Sequence, residues 1–331
     1  MVGTSEQQRV AVVQPLPGIG DMIWHIQHIR ALARHLGVPV TLIAKSSTLS
    51  EQLFAGDPAV RAVVRVSRDA RGARYTGWEL LPALIGRRFR RVYLLHHSRG
   101  LAFAIAMAGV RERFGYGFGG QRPFLNRGPF LPASVKTWHP FELATMYLQI
   151  LGVPLPDPEP RLDVPAEARV AARARLGVAD GPFVVLGIGS SQPSKQWGAA
   201  KFAALARILS SRGWPNVVLL AGPGEAGLAA EIRAALAPDR PRAMDALGWD
   251  LPDAAAVCAE AAFYVGNDTA ALNLAAAVGT RSFGLFGSVA PFGHAGAIVP
   301  IVPPDGVFDW TLGVARIDVA QVVGAIGAAV R

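Results

Sequence analysis

The chain alternates short apolar runs of strand length with longer stretches of helical periodicity. Examples of the apolar runs are Arg9–Gln14, Val38–Ala44 and Phe183–Ile188, each followed by residues with turn chemistry such as Gly, Pro and Ser. Continuous apolar runs of this length fit parallel strands that are buried on both faces. The helical stretches between them fit crossover connections. The pattern therefore predicts an α/β protein built from repeated strand–helix units.

The clearest of these units is Tyr264–Ser288. An apolar run leads into the turn Gly266–Thr269, the Ala- and Leu-rich stretch Ala270–Val278 follows, and Gly279 precedes a second apolar run. These residues predict a helix that begins near Thr269, because Asp and Thr favour helix starts and Ala and Leu favour helix interiors. Its N-terminus would face the carboxyl edge of a sheet, where nucleotide phosphates commonly bind. The Asp-Thr pair alone also fits a simple helix cap.

A Pro-rich segment divides the chain. Residues 153–165 contain five prolines and no periodicity, which is typical of an interdomain linker. We therefore predict a first domain over 1–165, linker included, and a second domain over 166–315. The final stretch, 316–331, is predicted to be a helix that returns to the first domain. A chain of 331 residues is long enough for two such cores.

The positive charge is confined to the first half of the chain. Residues 1–165 contain 20 Lys and Arg against 11 Asp and Glu, whereas residues 166–331 contain 13 of each. A basic first domain suits an acidic partner such as a phosphorylated glycolipid on an anionic membrane surface; a general surface charge is the alternative. We expect no nucleic-acid partner, because no recognisable binding module is present. A predicted helix over Trp78–Arg91 ends in four arginines around Phe89, which fits either a membrane-facing or a solvated helix end.

The cysteine and histidine usage argues against a disulfide framework and a metal site. Cys258 is the single cysteine and lies in an apolar helical stretch. His96 and His97 are adjacent, so their side chains point in different directions and do not converge on a metal. The sequence shows neither a signal peptide nor an apolar segment long enough to span a bilayer. We expect a cytoplasmic protein with peripheral contact to the inner membrane.

Three motifs resemble the lipopolysaccharide heptosyltransferases of glycosyltransferase family 9. Asp268-Thr269, the Ala-rich helix and the later Leu285-Phe286-Gly287 resemble the family pattern D-T-G-x-x-H followed by A-A and L-F-G. Gly20-Asp21 opens a segment similar to the family's first motif, and Gly189–Trp197 resembles its run of small residues before K-x-W. There are two departures in the first pattern, Ala270 in place of Gly and Asn273 in place of His. The resemblance extends over nearly the whole chain.

The resemblance implies a GT-B fold, with two Rossmann-like domains facing a central cleft. It also implies an inverting, metal-independent glycosyltransferase that moves heptose from ADP-heptose onto a lipopolysaccharide core or related glycolipid. In that mechanism Asp21 removes the proton of the acceptor hydroxyl, and the diphosphate leaves toward Lys195, Thr269 and the helix N-terminus. The nucleotide sugar is a co-substrate, and no cofactor is expected. Taken alone, Asp21 also fits a first-turn acid that complements the helix dipole.

The candidate site residues follow from these motifs. Lys195 supplies a point charge against a diphosphate, and its alternative role is that of an ordinary surface lysine. Besides the catalytic candidates Asp21 and Lys195, the donor site is predicted to contain Ser190, Ser191, Lys195, Glu225, Asp268, Thr269, Ala270 and Asn273. The acceptor site is predicted to contain Gly20, Arg113 and Arg122.

Two other functions fit the same architecture. A nucleotide-sugar epimerase would act on the donor without any acceptor. A catalytically silent protein that binds nucleotide sugar or glycolipid as a scaffold would be consistent with Ala270 and Asn273, although Asp21 and Lys195 favour an active enzyme.

Overall fold

The protein divides into two compact units, Met1–Pro158 and Glu159–Arg331. A computed structural model describes residues 9–66, 77–178, 181–236 and 241–329. The division falls inside the Pro-rich segment 153–165 that was predicted as a linker. Each unit contains its own parallel sheet, as expected of two strand–helix domains.

The first unit is built on a five-stranded sheet in the order β3-β2-β1-β4-β5. All of its described strand pairs are parallel. The central strand β1 is completely buried, which explains its continuous apolar sequence. The elements are β1 Val10–Gln14, α1 Ile19–Leu36, β2 Val40–Lys45, α2 Ser50–Leu53, β3 Val60–Val66, α3 Leu81–Arg87, β4 Arg91–Leu94, α4 Arg99–Met107, β5 Glu112–Gly115 and α5 Pro140–Ile150.

The first crossover begins where the sequence predicts it. The loop after β1 leads into α1, which places Asp21 in the first helical turn. The backbone N–H of Gly18 donates to Asp21 Oδ2 at 2.8 Å, and this bond fixes the start of the helix. Gly37 ends the helix in a left-handed conformation, with φ of 67°.

The predicted helix over Trp78–Arg91 was too long. A short 3₁₀ turn, Trp78–Leu80, precedes α3, and α3 ends at Arg87 because Arg88 adopts a left-handed conformation. Phe89 is buried, and Arg91 belongs to β4, where its Nε lies 2.6 Å from Glu112 Oε2. The arginine run is therefore divided between an exposed helix end and a paired strand residue.

The second unit is built on a six-stranded sheet in the order β11-β10-β9-β6-β7-β8. Its described strand pairs are also parallel. The elements are α6 Ala166–Leu176, β6 Val184–Gly187, α7 Ala199–Ser211, β7 Asn216–Ala221, α8 Ala226–Ala235, β8 Arg242–Leu247, α9 Leu251–Glu260, β9 Tyr264–Asn267, α10 Ala270–Ala277, β10 Ser282–Leu285, β11 Ile298–Ile301 and α11 Val319–Ala329.

The centre of this sheet depends on two glycines. Gly187 of β6 and Gly266 of β9 lie opposite each other, and the buried ring of Tyr264 occupies the space beside them. A Cβ added at Gly187 would overlap the Tyr264 hydroxyl. The close approach holds β6 and β9 side by side, so the loops that follow the two strands begin next to each other.

The C-terminal helix α11 packs within the second unit. Val322, Val323 and Ile326 belong to the same apolar cluster as Phe202 of α7 and Ile301 of β11. The apolar face of α11 is thus buried within the second unit. The sequence predicted that this helix returns to the first domain. The described residues contain no helix that is long and apolar enough to cross a membrane.

Candidate functional site

A lysine–aspartate pair lies at the carboxyl edge of the second sheet. Lys195 comes from the loop after β6, and Asp268 directly follows β9. Lys195 Nζ lies 2.5 Å from Asp268 Oδ2, and both side chains are largely buried. The structure thus joins two residues that are 73 positions apart in the chain, both of which were predicted for the donor site.

Asn267 holds this loop in place. Its buried side chain donates to the carbonyl oxygens of Ile188 and Gly189, at 3.0 and 3.2 Å, and accepts from the backbone N–H of Trp197 at 3.3 Å. Sequence reasoning missed this residue, although a buried polar side chain at a strand end must find partners. The three bonds fix the backbone on both sides of Lys195.

The start of α10 is open to a ligand. Thr269 occupies the N-cap position and Ala270 is the first helical residue. In the described part of the chain, the Thr269 hydroxyl makes no capping bond to the first-turn amides. These amides and the positive end of the helix dipole can bind a phosphate oxygen.

Asn273, one turn into α10, contacts an imidazole from another loop. Its Oδ1 lies 2.7 Å from His294 Nε2, and its Nδ2 donates to the carbonyl oxygen of Thr269 at 3.2 Å. The family motif that this helix resembles has histidine where Asn273 stands, and here an imidazole reaches the same turn from residue 294 instead. No periodicity or spacing in the sequence could have indicated this contact.

The remaining predicted donor residues lie around the same edge. The Ser190 hydroxyl accepts from the N–H of Gln192 at 3.1 Å, and Ser191 is exposed. Glu225 lies at the start of α8, and a Cβ added at Gly189 would be 3.5 Å from its carboxyl carbon. The serines and Glu225 therefore flank the loop after β6.

A second set of loops completes this edge. Ser288 donates to Ser194 Oγ at 3.1 Å, and Gly313 lies so close to Ser194 that an added Cβ would overlap its carbonyl oxygen. A pocket of about 380 Å³ opens beside these loops and is lined by Trp310, Gln196 and Ser194, among others. Lys195 Nζ lies 5.8 Å from the centroid of the Trp310 ring, which contributes a cation–π contact.

Asp21 lies at the carboxyl edge of the first sheet. Burial raises the pKa of its carboxyl group, while the N–H of Gly18 and the charge of Lys45 act in the opposite direction. A carboxylate with a raised pKa is a better proton acceptor than an exposed one. Gly20, its predicted acceptor-site neighbour, is half-buried in the same helical turn.

Two basic residues at the same sheet edge were not predicted. Lys45 ends β2 and His96 follows β4, and these strands flank β1 on either side. Burial, together with the charges of His97 and Lys45, lowers the pKa of His96 to about 4. At pH 7 this imidazole is neutral. Strand order brings these side chains together, and the sequence alone does not give that order.

Buried histidines support the Asp21 turn from behind. His25 Nδ1 lies 2.7 Å from the carbonyl oxygen of Asp21, and His28 Nε2 lies 2.8 Å from Thr145 Oγ1. Burial lowers the pKa of His25 to about 4 and that of His28 well below its usual value. Both rings are therefore neutral at pH 7 and serve to pack and orient helix α1.

The predicted acceptor arginines, Arg113 and Arg122, make contacts within the first unit. Arg113 donates from Nε to the carbonyl oxygen of Phe124 and from Nη1 to that of Val110, each at 2.7 Å. Its guanidinium thus supports the fold around β5. Arg122 is exposed, and its guanidinium lies 5.2 Å from the centroid of the Phe130 ring.

Among the described residues, no group of three or more His, Cys, Asp or Glu side chains converges as metal ligands would. Cys258 is free and buried, and burial raises the pKa of its thiol to about 12. The residues around the start of α10 offer backbone amides, a lysine and hydroxyl groups to a ligand. Such groups recognise phosphate.

Residues 79–298 match the model of glycosyltransferase family 9 (heptosyltransferase). This match extends over both units and includes the Lys195–Asp268 pair and the start of α10. It begins after Asp21. No curated protein sequence matches the chain significantly.

Three solved structures share the fold over almost the full length. A family 9 glycosyltransferase from Veillonella parvula is 19% identical with a TM-score of 0.77, covering 97% of this chain and 96% of that one. The ADP-heptose lps heptosyltransferase II of E. coli is 21% identical with a TM-score of 0.75, covering 97% and 98%. The E. coli heptosyltransferase WaaC with ADP-2-deoxy-2-fluoro heptose is 17% identical with a TM-score of 0.73, covering 97% and 99%. The α/β architecture of two Rossmann-like domains is thereby confirmed as the GT-B fold of heptosyltransferases.

Proposed function

The chain belongs to glycosyltransferase family 9, and from this premise we propose that it transfers heptose from ADP-heptose to a hydroxyl group of a lipopolysaccharide core or related glycolipid. The family makes the chain a glycosyltransferase. Two similar structures are E. coli heptosyltransferases, one of them with an ADP-heptose analogue, which supports this donor. The donor, the acceptor and the mechanism are our proposals.

The observation that carries the proposal is the Lys195–Asp268 pair at the start of α10. A largely buried carboxylate holds the ammonium group 2.5 Å away, beside the open helix N-terminus. When a diphosphate binds, the lysine and the first-turn amides stabilise the charge that develops on the leaving group. Ser190, Ser191, Glu225, Thr269, Ala270 and Asn273 complete the proposed donor site.

Asp21 is the proposed general base. Its carboxylate accepts the proton of the acceptor hydroxyl while the oxygen attacks the anomeric carbon of the sugar. The bond from that carbon to the diphosphate oxygen breaks, and its electron pair leaves with the diphosphate. Attack opposite the leaving group inverts the configuration. Lys45 contributes positive charge near the base, which suits an acidic acceptor. Gly20, Arg113 and Arg122 remain predictions for the acceptor side.

Metal independence is part of the proposal. The lysine and the helix N-terminus take the place that a divalent cation has in other nucleotide-sugar transferases. The protein is further proposed to act in the cytoplasm at an anionic membrane surface. Exposed Arg87 and Arg88 adjoin exposed Ile85 at the end of α3, a combination that favours such contact.

A nucleotide panel tests the donor assignment. Thermal unfolding is followed with ADP, GDP, UDP and dTDP, each with and without EDTA. We expect stabilisation by ADP that survives EDTA, since a ligand that binds the folded state raises its stability. Stabilisation by another nucleotide would replace the donor, and loss of the effect in EDTA would contradict metal independence.

A further inference from the structure

The loop after β10 places a buried imidazole against the first turns of α10. His294 has 9% of its surface exposed. Its Nε2 lies 2.7 Å from Asn273 Oδ1, and its Nδ1 lies 2.8 Å from the carbonyl oxygen of Phe292. Both ring nitrogens therefore face oxygen atoms.

These two oxygens are acceptors. A backbone carbonyl cannot donate, and the orientation of the Asn273 amide is set by its Nδ2, which donates to the carbonyl oxygen of Thr269. If the amide were flipped, Asn273 Oδ1 would lie against the carbonyl oxygen of Thr269, and both atoms are acceptors. A neutral imidazole carries one N–H and satisfies one of its two contacts, whereas an imidazolium satisfies both. The surroundings of His294 are thus shaped for the protonated ring.

Burial and the neighbouring carboxylates act on the pKa of His294 in opposite directions. Burial lowers the pKa of His294, and this is the largest influence on it. The Phe292 carbonyl and the carboxylates of Asp268 and Glu159 raise the pKa. Asp268 is paired with Lys195, and Glu159 accepts from the N–H of Gly296 at 2.5 Å and lies 3.9 Å from Arg161. Burial outweighs these opposing influences, so the neutral ring is favoured in the unliganded protein.

We propose that His294 is a further positioning residue of the donor site and that it takes up a proton when the nucleotide diphosphate binds. This inference rests on the proposed function, which places the diphosphate at the start of α10. A dianionic group there adds negative charge beside Asp268 and stabilises the imidazolium. The protonated ring then donates to both Asn273 and Phe292 and holds the loop on the helix.

The step forms one N–H bond. The proton comes from the buffer and binds whichever ring nitrogen lacks it, and no other covalent bond changes. By linkage, a ligand that raises the pKa of a group binds more tightly as the pH falls from above the pKa of the complex toward that of the free protein. If one full proton is coupled, the dissociation constant changes by up to about tenfold per pH unit within that window.

Calorimetric titration with ADP measures the proton directly. The binding heat is recorded at pH 7 in buffers of different ionisation enthalpy for the wild type, His294→Gln and His35→Gln. His35 is an exposed histidine on α1 and serves as the matched control. We expect the wild type and His35→Gln to take up roughly half a proton or more beyond His294→Gln. The protonation of ADP itself cancels in this difference.

A second variant separates charge from shape. Asn273→Asp places a carboxylate against Nε2, so His294 should already be protonated without ligand and the uptake on ADP binding should shrink. Imidazole ¹⁵N shifts report the same states and decide the question in the wild type if His294→Gln does not fold.

The outcomes distinguish the two proposals. ADP binding with equal proton uptake in the wild type and His294→Gln overturns the role of His294 and leaves the donor site standing. A neutral His294 in the ADP complex, seen by ¹⁵N shifts, also overturns it. Failure of ADP, GDP, UDP and dTDP alike to bind overturns the donor site and this inference together.

Discussion

The two sheet edges hold their charged groups in different ways. At the second edge, Lys195 and Asp268 are in direct contact, with 2.5 Å between nitrogen and oxygen. At the first edge, the Asp21 carboxylate accepts a hydrogen bond from the backbone N–H of Gly18, and the charge of Lys45 lowers its pKa. One edge is locked by an ion pair, and the other keeps a carboxylate that can change its protonation state.

This difference matches two chemical tasks. A general base must gain and lose a proton, so a direct ion pair that fixes its charge would impair it. A phosphate-binding lysine only needs a constant charge and a fixed position, which a neighbouring carboxylate provides until the ligand arrives. We therefore propose proton transfer at the first edge and anion binding at the second.

The strongest test of this division is Asp21→Asn. The amide keeps the size of the side chain but cannot accept the proton, so transfer should fall by roughly 10²- to 10⁴-fold. Nucleotide binding, followed by thermal stabilisation with ADP, should remain near the wild-type level. Near-normal transfer in this variant would remove Asp21 from the mechanism.

Lys195→Ala should break the other edge. Loss of the ammonium group leaves Asp268 without its partner and removes the positive charge that would face the diphosphate. ADP affinity should therefore fall by roughly 10- to 100-fold. The double variant with Asp268→Asn is the control, because it removes the unpaired carboxylate and should recover part of the affinity. Equal ADP affinity in wild type and Lys195→Ala would place the diphosphate elsewhere.

The smallest expected effect is that of Lys45→Met on pH dependence. The charge of Lys45 lowers the pKa of Asp21, so its removal should raise that pKa further. The general base is active as the carboxylate, and transfer is lost as the pH falls through this pKa. The acidic limb of the pH–rate profile should therefore move to higher pH, by less than about one unit. Movement of the acidic limb to lower pH would contradict the effect of Lys45 on the pKa of Asp21.

Local sequence signals predicted much of the fold and indicated candidate residues at both sheet edges. The turn and Ala-rich run at residues 266–278 indicated β9 and α10, and the Gly- and Pro-rich loop after β1 indicated the helix that carries Asp21. Lys195 and Asp268 each follow a predicted strand, so their meeting at one sheet edge is consistent with strand–helix topology.

Long-range contacts were beyond such reasoning. The interactions of Lys45 with Asp21 and with His96 depend on β1 lying between β2 and β4. The His294–Asn273 bond joins a helix to a loop without periodicity. Arg113 stays a prediction for the acceptor site, and the two carbonyl oxygens to which its guanidinium donates could not be read from the sequence. Composition and spacing contain no information about where a side chain finds its partners.

Heptose transfer is tested by mass spectrometry of a heptose-deficient lipopolysaccharide after incubation with the protein and ADP-heptose. We expect the acceptor to gain one heptose, with ADP released and with the transfer unaffected by EDTA. Conversion of the nucleotide sugar with an unchanged acceptor would favour an epimerase. Binding of ADP-heptose with neither substrate altered would contradict the transferase account and favour a silent scaffold.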